Sequence, residues 1–162
     1  MFEFVWVIVI LMVLYACSYM YLSAMNETVE RTDFVSTLNR VQAQLTLNVA
    51  EWYAVGTEVS RSELESENPF DLIDLAPDNY QGELTSDRLS NCGLSKWCYV
   101  TDTKRLVYRV RHSGELINSY DQREYLVYRL KLTLDSSQDD TGLPTALTLV
   151  PEYKFTWQNV RF

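Results

Sequence analysis

The side chains able to do chemistry in this chain are two close cysteines, one histidine and scattered carboxylates. Cys92 and Cys98 flank Gly93-Leu94-Ser95-Lys96-Trp97, a segment short enough to turn back and bring the two thiols together. In an oxidising compartment such a pair forms a disulfide; in a reducing one both remain structural thiols. The spacing is not the C-x-x-C of a redox motif, so a bridge here is structural rather than catalytic. A zinc site needs a second pair of ligands, and His112 is the only histidine. His112 follows Arg111 at an expected strand end with no nucleophile motif near it, which reads as a surface position. There is no G-x-S-x-G, no phosphate-binding glycine loop and no H-E-x-x-H. Asp135, Asp139 and Asp140 could gather a calcium ion, but their order does not match an EF-hand, and a solvated acidic loop is the expectation. No catalytic, cofactor-binding or metal-binding residue is assigned, and a non-enzymatic role is expected.

The elements that must position these residues begin with an apolar run. From Phe4 to Asn26 no side chain is charged. As a helix this run is about 34 Å long, against about 30 Å for a bilayer core. Buried core helices are usually shorter and amphipathic. A secretory signal would carry a positive n-region, and here only Met1, Phe2 and Glu3 precede the run. Residues 1–26 are therefore expected to be an uncleaved transmembrane anchor, with Glu3 as an acid at the membrane edge. Tyr15, Tyr19 and Tyr21 thicken toward its far end, as aromatic residues do at an interface.

The helical pattern continues beyond the anchor. Phe34, Leu38, Val41, Leu45, Val49 and Trp52 recur at steps of three and four, which keeps one face apolar. Residues 27–56 read as an amphipathic stalk ending at Gly56, a C-cap residue. Its stripe either packs on the protein's own domain or offers Phe34, Leu38, Val41, Leu45 and Trp52 to a partner helix. Residues 57–162 form one α+β domain. The stretch 57–82 reads as a connection with at most short helices, punctuated by Asn68-Pro69-Phe70 and Ala76-Pro77-Asp78-Asn79-Tyr80. Strands are expected mainly within 97–157. Trp97–Val100 and Arg105–Val110 flank a turn at Thr101–Lys104. Within Glu124–Leu134, Leu126, Tyr128, Leu130, Leu132 and Leu134 face one way, while Arg129, Lys131 and Thr133 face the other. Thr145–Val150 and Tyr153–Trp157 read as a last pair. The expected fold is one long N-terminal transmembrane helix, continuing as a stalk, packed on an antiparallel sheet.

Charge narrows the partners. The formal net charge is -8, and Glu3 is the only charged side chain before Glu27. An acidic domain lacks the basic face that nucleic acid requires. Four Trp and eleven Tyr suit both a core and protein contacts. Lys and Arg counts slightly favour a cytoplasmic domain by the positive-inside rule. The cysteine pair and the β-rich domain favour export, and the exported orientation is the expectation.

An apolar N-terminal helix continuing into a stalk and carrying a sheet resembles type IV pilins and type II secretion pseudopilins, an architecture echoed by Phe2-Glu3-Phe4-Val5-Trp6-Val7-Ile8-Val9-Ile10. The pattern differs from theirs in having Val5 where mature pilins carry a glutamate. Asn68-Pro69-Phe70, Pro77-Asp78-Asn79-Tyr80-Gln81-Gly82 and Trp97-Cys98-Tyr99-Val100, with the anchor, resemble the accessory protein F family of mannose-sensitive haemagglutinin (MSHA) pilus biogenesis. That resemblance implies a single-pass protein of the bacterial inner membrane with a periplasmic C-terminal domain. Its partners would be pilins and other pilus or secretion-system membrane proteins. Alternatives are a minor pilin or pseudopilin that enters the fibre, and a membrane-tethered ligand-binding or sensor module.

Overall fold

The computed structural model describes the backbone of residues 2–74, 76–135, 140–157 and 160–161, and the side chains of those residues except 2–4, 20, 23, 24, 160 and 161. One helix, α1, runs unbroken over Phe2–Val55, 54 residues, or about 81 Å. Neither Gly nor Pro interrupts it. It ends where Gly56 takes a left-handed φ of 74°. Gly56 N–H donates to Tyr53 C=O at 3.2 Å and Thr57 N–H to Trp52 C=O at 2.8 Å, the paired closure of a Schellman motif.

Two short helices follow, α2 (Arg61–Leu64) and α3 (Pro69–Leu72), separated from α1 by the strand β1 (Val59–Ser60). Asn68 starts α3: its side-chain oxygen accepts from Phe70 N–H, and Pro69 occupies the first turn, where no N–H is needed. The remaining strands are β2 (Tyr80–Leu84), β3 (Lys96–Val100), β4 (Arg105–Arg109), β5 (Leu116–Asn118), β6 (Tyr125–Leu134), β7 (Thr141–Gly142), β8 (Pro144–Pro151), β9 (Phe155–Trp157) and β10 (Val160–Arg161). The main sheet has the order β2-β3-β4-β6-β8; β5, β9 and β10 form a second sheet, and β1 pairs with β7.

Three expectations need correction. Among the described residues no helix is long and apolar enough to cross a membrane. The transmembrane helix expected over Phe4–Asn26 is therefore not found. The sheet is also mixed rather than antiparallel, because β2 lies parallel to β3. The stretch 57–82, read as a connection with at most short helices, runs into that edge strand at Tyr80. Parallel neighbours need a crossover of about a dozen residues, and Thr85–Ser95 supplies one, carrying a 3-10 turn over Ser86–Asn91. Finally, Thr145–Val150 and Tyr153–Trp157 do not pair with each other. β8 pairs with β6, whereas β9 pairs with β5 and β10. Pro151 has no N–H for a ladder, the chain bends at Glu152 and Tyr153, and the next strand joins the other sheet.

Alternation along the strands sorts the core into two layers. Trp97, Tyr99, Leu106, Tyr108, Leu126, Tyr128, Leu130, Leu132 and Leu134 share a cluster with Phe34, Val41, Leu45 and Val49 of α1. The intervening Cys98, Val100, Val107, Tyr125 and Val127 form a second cluster with Cys92. Phe34 is fully buried and central. Its ring stacks on Trp97 at 5.2 Å and meets Tyr108 at 5.0 Å, Trp157 at 5.9 Å, Tyr128 at 6.2 Å and Phe155 at 6.4 Å. The outer edge of β8 is covered by α1 itself: the Gln42 amide donates to Leu147 C=O and accepts from Leu149 N–H, each at 3.0 Å. That bidentate contact imitates a neighbouring strand and blunts an otherwise open edge.

Phe34→Ala is expected to destabilise the domain by about 3–5 kcal/mol, the range for deleting a buried aromatic side chain. Urea unfolding of the full chain in detergent, followed by tryptophan fluorescence, measures it; a loss below 1 kcal/mol would show that the helix docks without this ring.

Candidate functional site

Helix geometry places Glu27 and Glu30 on the same face as Phe34, two turns and one turn before it respectively. That face meets the loop after β4 and the end of β9. Glu30 Oε1 accepts from Arg111 N–H at 2.8 Å, Ser95 O–H at 2.9 Å and Tyr108 O–H at 3.1 Å. Its Oε2 accepts from His112 N–H and lies against His112 Nδ1, both at 2.9 Å. A turn earlier, Glu27 Oε1 accepts from Glu115 N–H and Trp157 Nε1–H, each at 2.9 Å. Two helix carboxylates thus clasp the 111–115 loop and the second sheet.

Glu30 is 8% exposed. Burial alone would push its pKa up, but the bonds from Arg111 N–H, the His112 ring, Ser95 and His112 N–H outweigh it. They hold the carboxyl below its ordinary value of 4.5. Burial first, and then the neighbouring Glu30 charge, push the Tyr108 phenol well above its ordinary 10, so it stays a donor. Five donors meet a carboxylate with about four lone-pair sites, which leaves Glu30 no free acceptor for a substrate. Chemically, the arrangement is a fastening.

The expected site residues fall as follows. Cys92 and Cys98 are joined by a disulfide, with Cα atoms 6.2 Å apart, and both are fully buried. The bridge ties the Thr85–Ser95 crossover to β3. Arg109 adds to the tie, donating from Nη1 to Ser90 C=O at 3.2 Å and Cys92 C=O at 2.8 Å. Gln81 reaches across from β2, donating to Asn91 C=O at 3.0 Å and accepting from Gly93 N–H at 2.7 Å. Cys17 is free and exposed. Of the candidate interaction stripe, Phe34, Val41 and Leu45 are buried in the protein's own core, and Leu38 and Trp52 are partly buried against it. The stripe therefore faces this chain's sheet and not a partner helix. Glu3 is part of α1, but its side chain lies outside the described residues.

Asp139 also lies outside them. Its neighbours turn to hydroxyl and amide donors: Asp140 accepts from Ser62 O–H at 2.7 Å and Ser60 O–H at 3.1 Å, and Asp135 from Leu143 N–H at 3.2 Å. Among the described residues no group of three or more His, Cys, Asp or Glu side chains could hold a metal ion.

Sequence reasoning missed Glu27 and Glu30 as a clasp and placed His112 on the surface. The signal was present: Glu27, Glu30, Phe34, Leu38 and Val41 step by three or four, so both acids extend the apolar stripe. A carboxylate on a core-facing stripe must find donors. Comparisons of the chain with protein-family models, curated proteins and solved structures find no match.

Glu30→Gln is expected to cost about 2–3 kcal/mol at pH 7, since it removes charge-assisted bonds from a buried acceptor. The folded-state pKa of Glu30 is lowered, so its contribution is present above the ordinary value of 4.5 and is lost as pH falls through the lower folded value. The difference in unfolding free energy between wild type and Glu30→Gln should therefore shrink below about pH 4.5; a difference constant from pH 7 to pH 3 would refute the clasp. Replacing Cys92 or Cys98 by Ser should cost about 2 kcal/mol, the chain-entropy value for so small a loop. Alkylation before and after reduction, with peptide mapping by mass, should label only Cys17 in unreduced protein.

Proposed function

We propose that this chain is a non-enzymatic component of a type IV, MSHA-type pilus assembly system. It works at the bacterial inner membrane with its folded domain in the periplasm, through contacts with pilins and other assembly proteins. One observation carries the reading: α1 continues past its own domain as a bare apolar arm. Val5 to Tyr19 are all exposed, at 42–74% for the large apolar side chains named, from Val5 through Leu14, Tyr15 and Tyr19. An apolar surface of that extent marks a place for a partner or a lipid phase. The clasp at Glu27 and Glu30 supports the same reading, because it fixes the angle between arm and domain. The Cys92–Cys98 disulfide suits an oxidising compartment such as the periplasm. Resemblance of the Asn68-Pro69-Phe70 and Trp97–Val100 segments to the MSHA accessory protein F family supplies the choice of system.

A second reading, a minor pilin that enters the fibre, draws on the unbroken helix of 54 residues with its domain at one end. Mass spectrometry of the mature protein separates the two. The accessory role predicts Met1 intact and protein absent from sheared pili; a shortened chain co-purifying with pili would establish the pilin role.

Photo-crosslinking from a benzoyl-phenylalanine placed at Leu14 tests the proposal in cells. Adducts with pilins or assembly proteins are expected, together with loss of surface pili when the gene is deleted. Normal piliation without adducts would overturn it.

A further inference from the structure

On the sheet face turned away from α1, the 3-10 turn Ser86–Asn91 and the loop before β6 enclose a cleft of about 470 Å³. Leu89 and the buried Tyr125 give it apolar lining, and Asp87, Ser90, Gln122 and Glu124 give it polar groups. Its one cation is already committed. Arg109 donates to Ser90 C=O, Cys92 C=O and, at 3.3 Å, Glu124 Oε1, and its guanidinium carbon sits 5.4 Å from the Tyr125 ring centroid. By contrast, the side chains of Asp87, Ser90 and Gln122 make no hydrogen bond among the described residues, and neither does Glu124 Oε2.

We propose that this cleft receives a lysine or arginine side chain presented by a partner protein. Its volume falls in the range of small-group sites. Asp87 supplies a negative charge unpaired among the described residues, Glu124 offers the oxygen left open by its ion pair with Arg109, and the Ser90 hydroxyl and the Gln122 carbonyl can accept from the remaining N–H groups. An anion would meet two carboxylates and an arginine whose donors already point at carbonyls. The formal net charge of -8 raises the local concentration of basic groups. A single partly solvated ion pair is weak, so the cleft acts as one specific point within a wider protein contact. The disulfide belongs to the site, because Cys92 C=O and the Cys92–Cys98 bridge hold the wall that carries Asp87 and Ser90. None of this depends on pilus assembly, and the test needs only the isolated chain.

The full chain, labelled with nitrogen-15 and held in detergent micelles, is titrated with three capped peptides: Gly-Ser-Arg-Ser-Gly, the same peptide with citrulline for arginine, and the same with glutamate. The arginine peptide should give saturable amide shifts at Asp87, Ser90, Gln122 and Glu124. The citrulline peptide, equal in shape but uncharged, should bind several-fold more weakly, and the glutamate peptide should leave these amides unmoved. Asp87→Asn, an exposed change expected to leave the melting temperature unaltered, should weaken arginine-peptide binding several-fold; reduction of the disulfide should weaken it as well. Equal binding of the citrulline peptide, shifts scattered outside the cleft, no binding at millimolar peptide, or an Asp87→Asn protein that binds as tightly as wild type would each overturn the inference.

Discussion

Everything in this fold depends on the docking of α1 through Phe34. A helix and a sheet bury each other only if their side-chain periods meet at a common point. Here the stripe from α1 and alternate residues of β3, β4 and β6 converge on one ring, within 6.4 Å of five other aromatic rings. Aromatic pairs at such distances add about 0.5–1.5 kcal/mol each beyond simple area burial. Phe155 and Trp157 bring β9 to the same ring, so the second sheet is fastened to the first through the helix. Glu27 and Glu30 then fix rotation about the helix axis through directional hydrogen bonds to the 111–115 loop and Trp157.

The parts of the fold legible in the sequence were those set by simple periodicity. Alternation assigned Leu126, Tyr128, Leu130, Leu132 and Leu134 to the core, and the three-four spacing traced the helical stripe through to a glycine C-cap. The turn at Thr101–Lys104 was legible as well; Lys104 takes a left-handed φ of 55° there. What could not be read was set by partners distant in sequence. β2 is short and contains Gly82, so nothing local marks it as a strand; pairing with β3 makes it one. The same holds for β5, whose neighbour β9 lies far along the chain. At the clasp, Glu27 and Glu30 looked like ordinary charges flanking Arg31, because their donors come from residues 95–157. The apolar run was legible as apolar; its extent as a span was judged from composition, which the described helix does not bear out.

The mixed sheet explains why the disulfide sits where it does. A parallel pair joined by a crossover of so few residues leaves the connecting segment little core of its own, and the 3-10 turn buries no residue. Such a segment would open easily without cross-links. The Cys92–Cys98 bridge, the Arg109 bonds and the Gln81 bonds together substitute for a hydrophobic anchor. The strand order thus creates a weakly packed crossover, and the Cys92–Cys98 bridge holds it closed.

The two halves of α1 pose opposite energetic problems, and this decides how the molecule must exist. The docked half is stabilised by its own domain. The arm gains nothing from the chain, since Val5 through Leu14 remain exposed. Fully burying a large aliphatic or aromatic side chain is worth about 1.5–3 kcal/mol, so those consecutive side chains forgo up to about 15–30 kcal/mol, more than the 5–15 kcal/mol that stabilises an ordinary domain. That penalty does not unfold the domain, because the arm makes no burial that unfolding would remove. It drives the arm toward any apolar surroundings instead. The acidic domain lacks such surroundings of its own, and like charge on neighbouring domains opposes their collapse onto one another. The arm is thus the most apolar surface the described residues expose, and the clasp at Glu27 and Glu30 fixes how the domain is set against the helix that carries it.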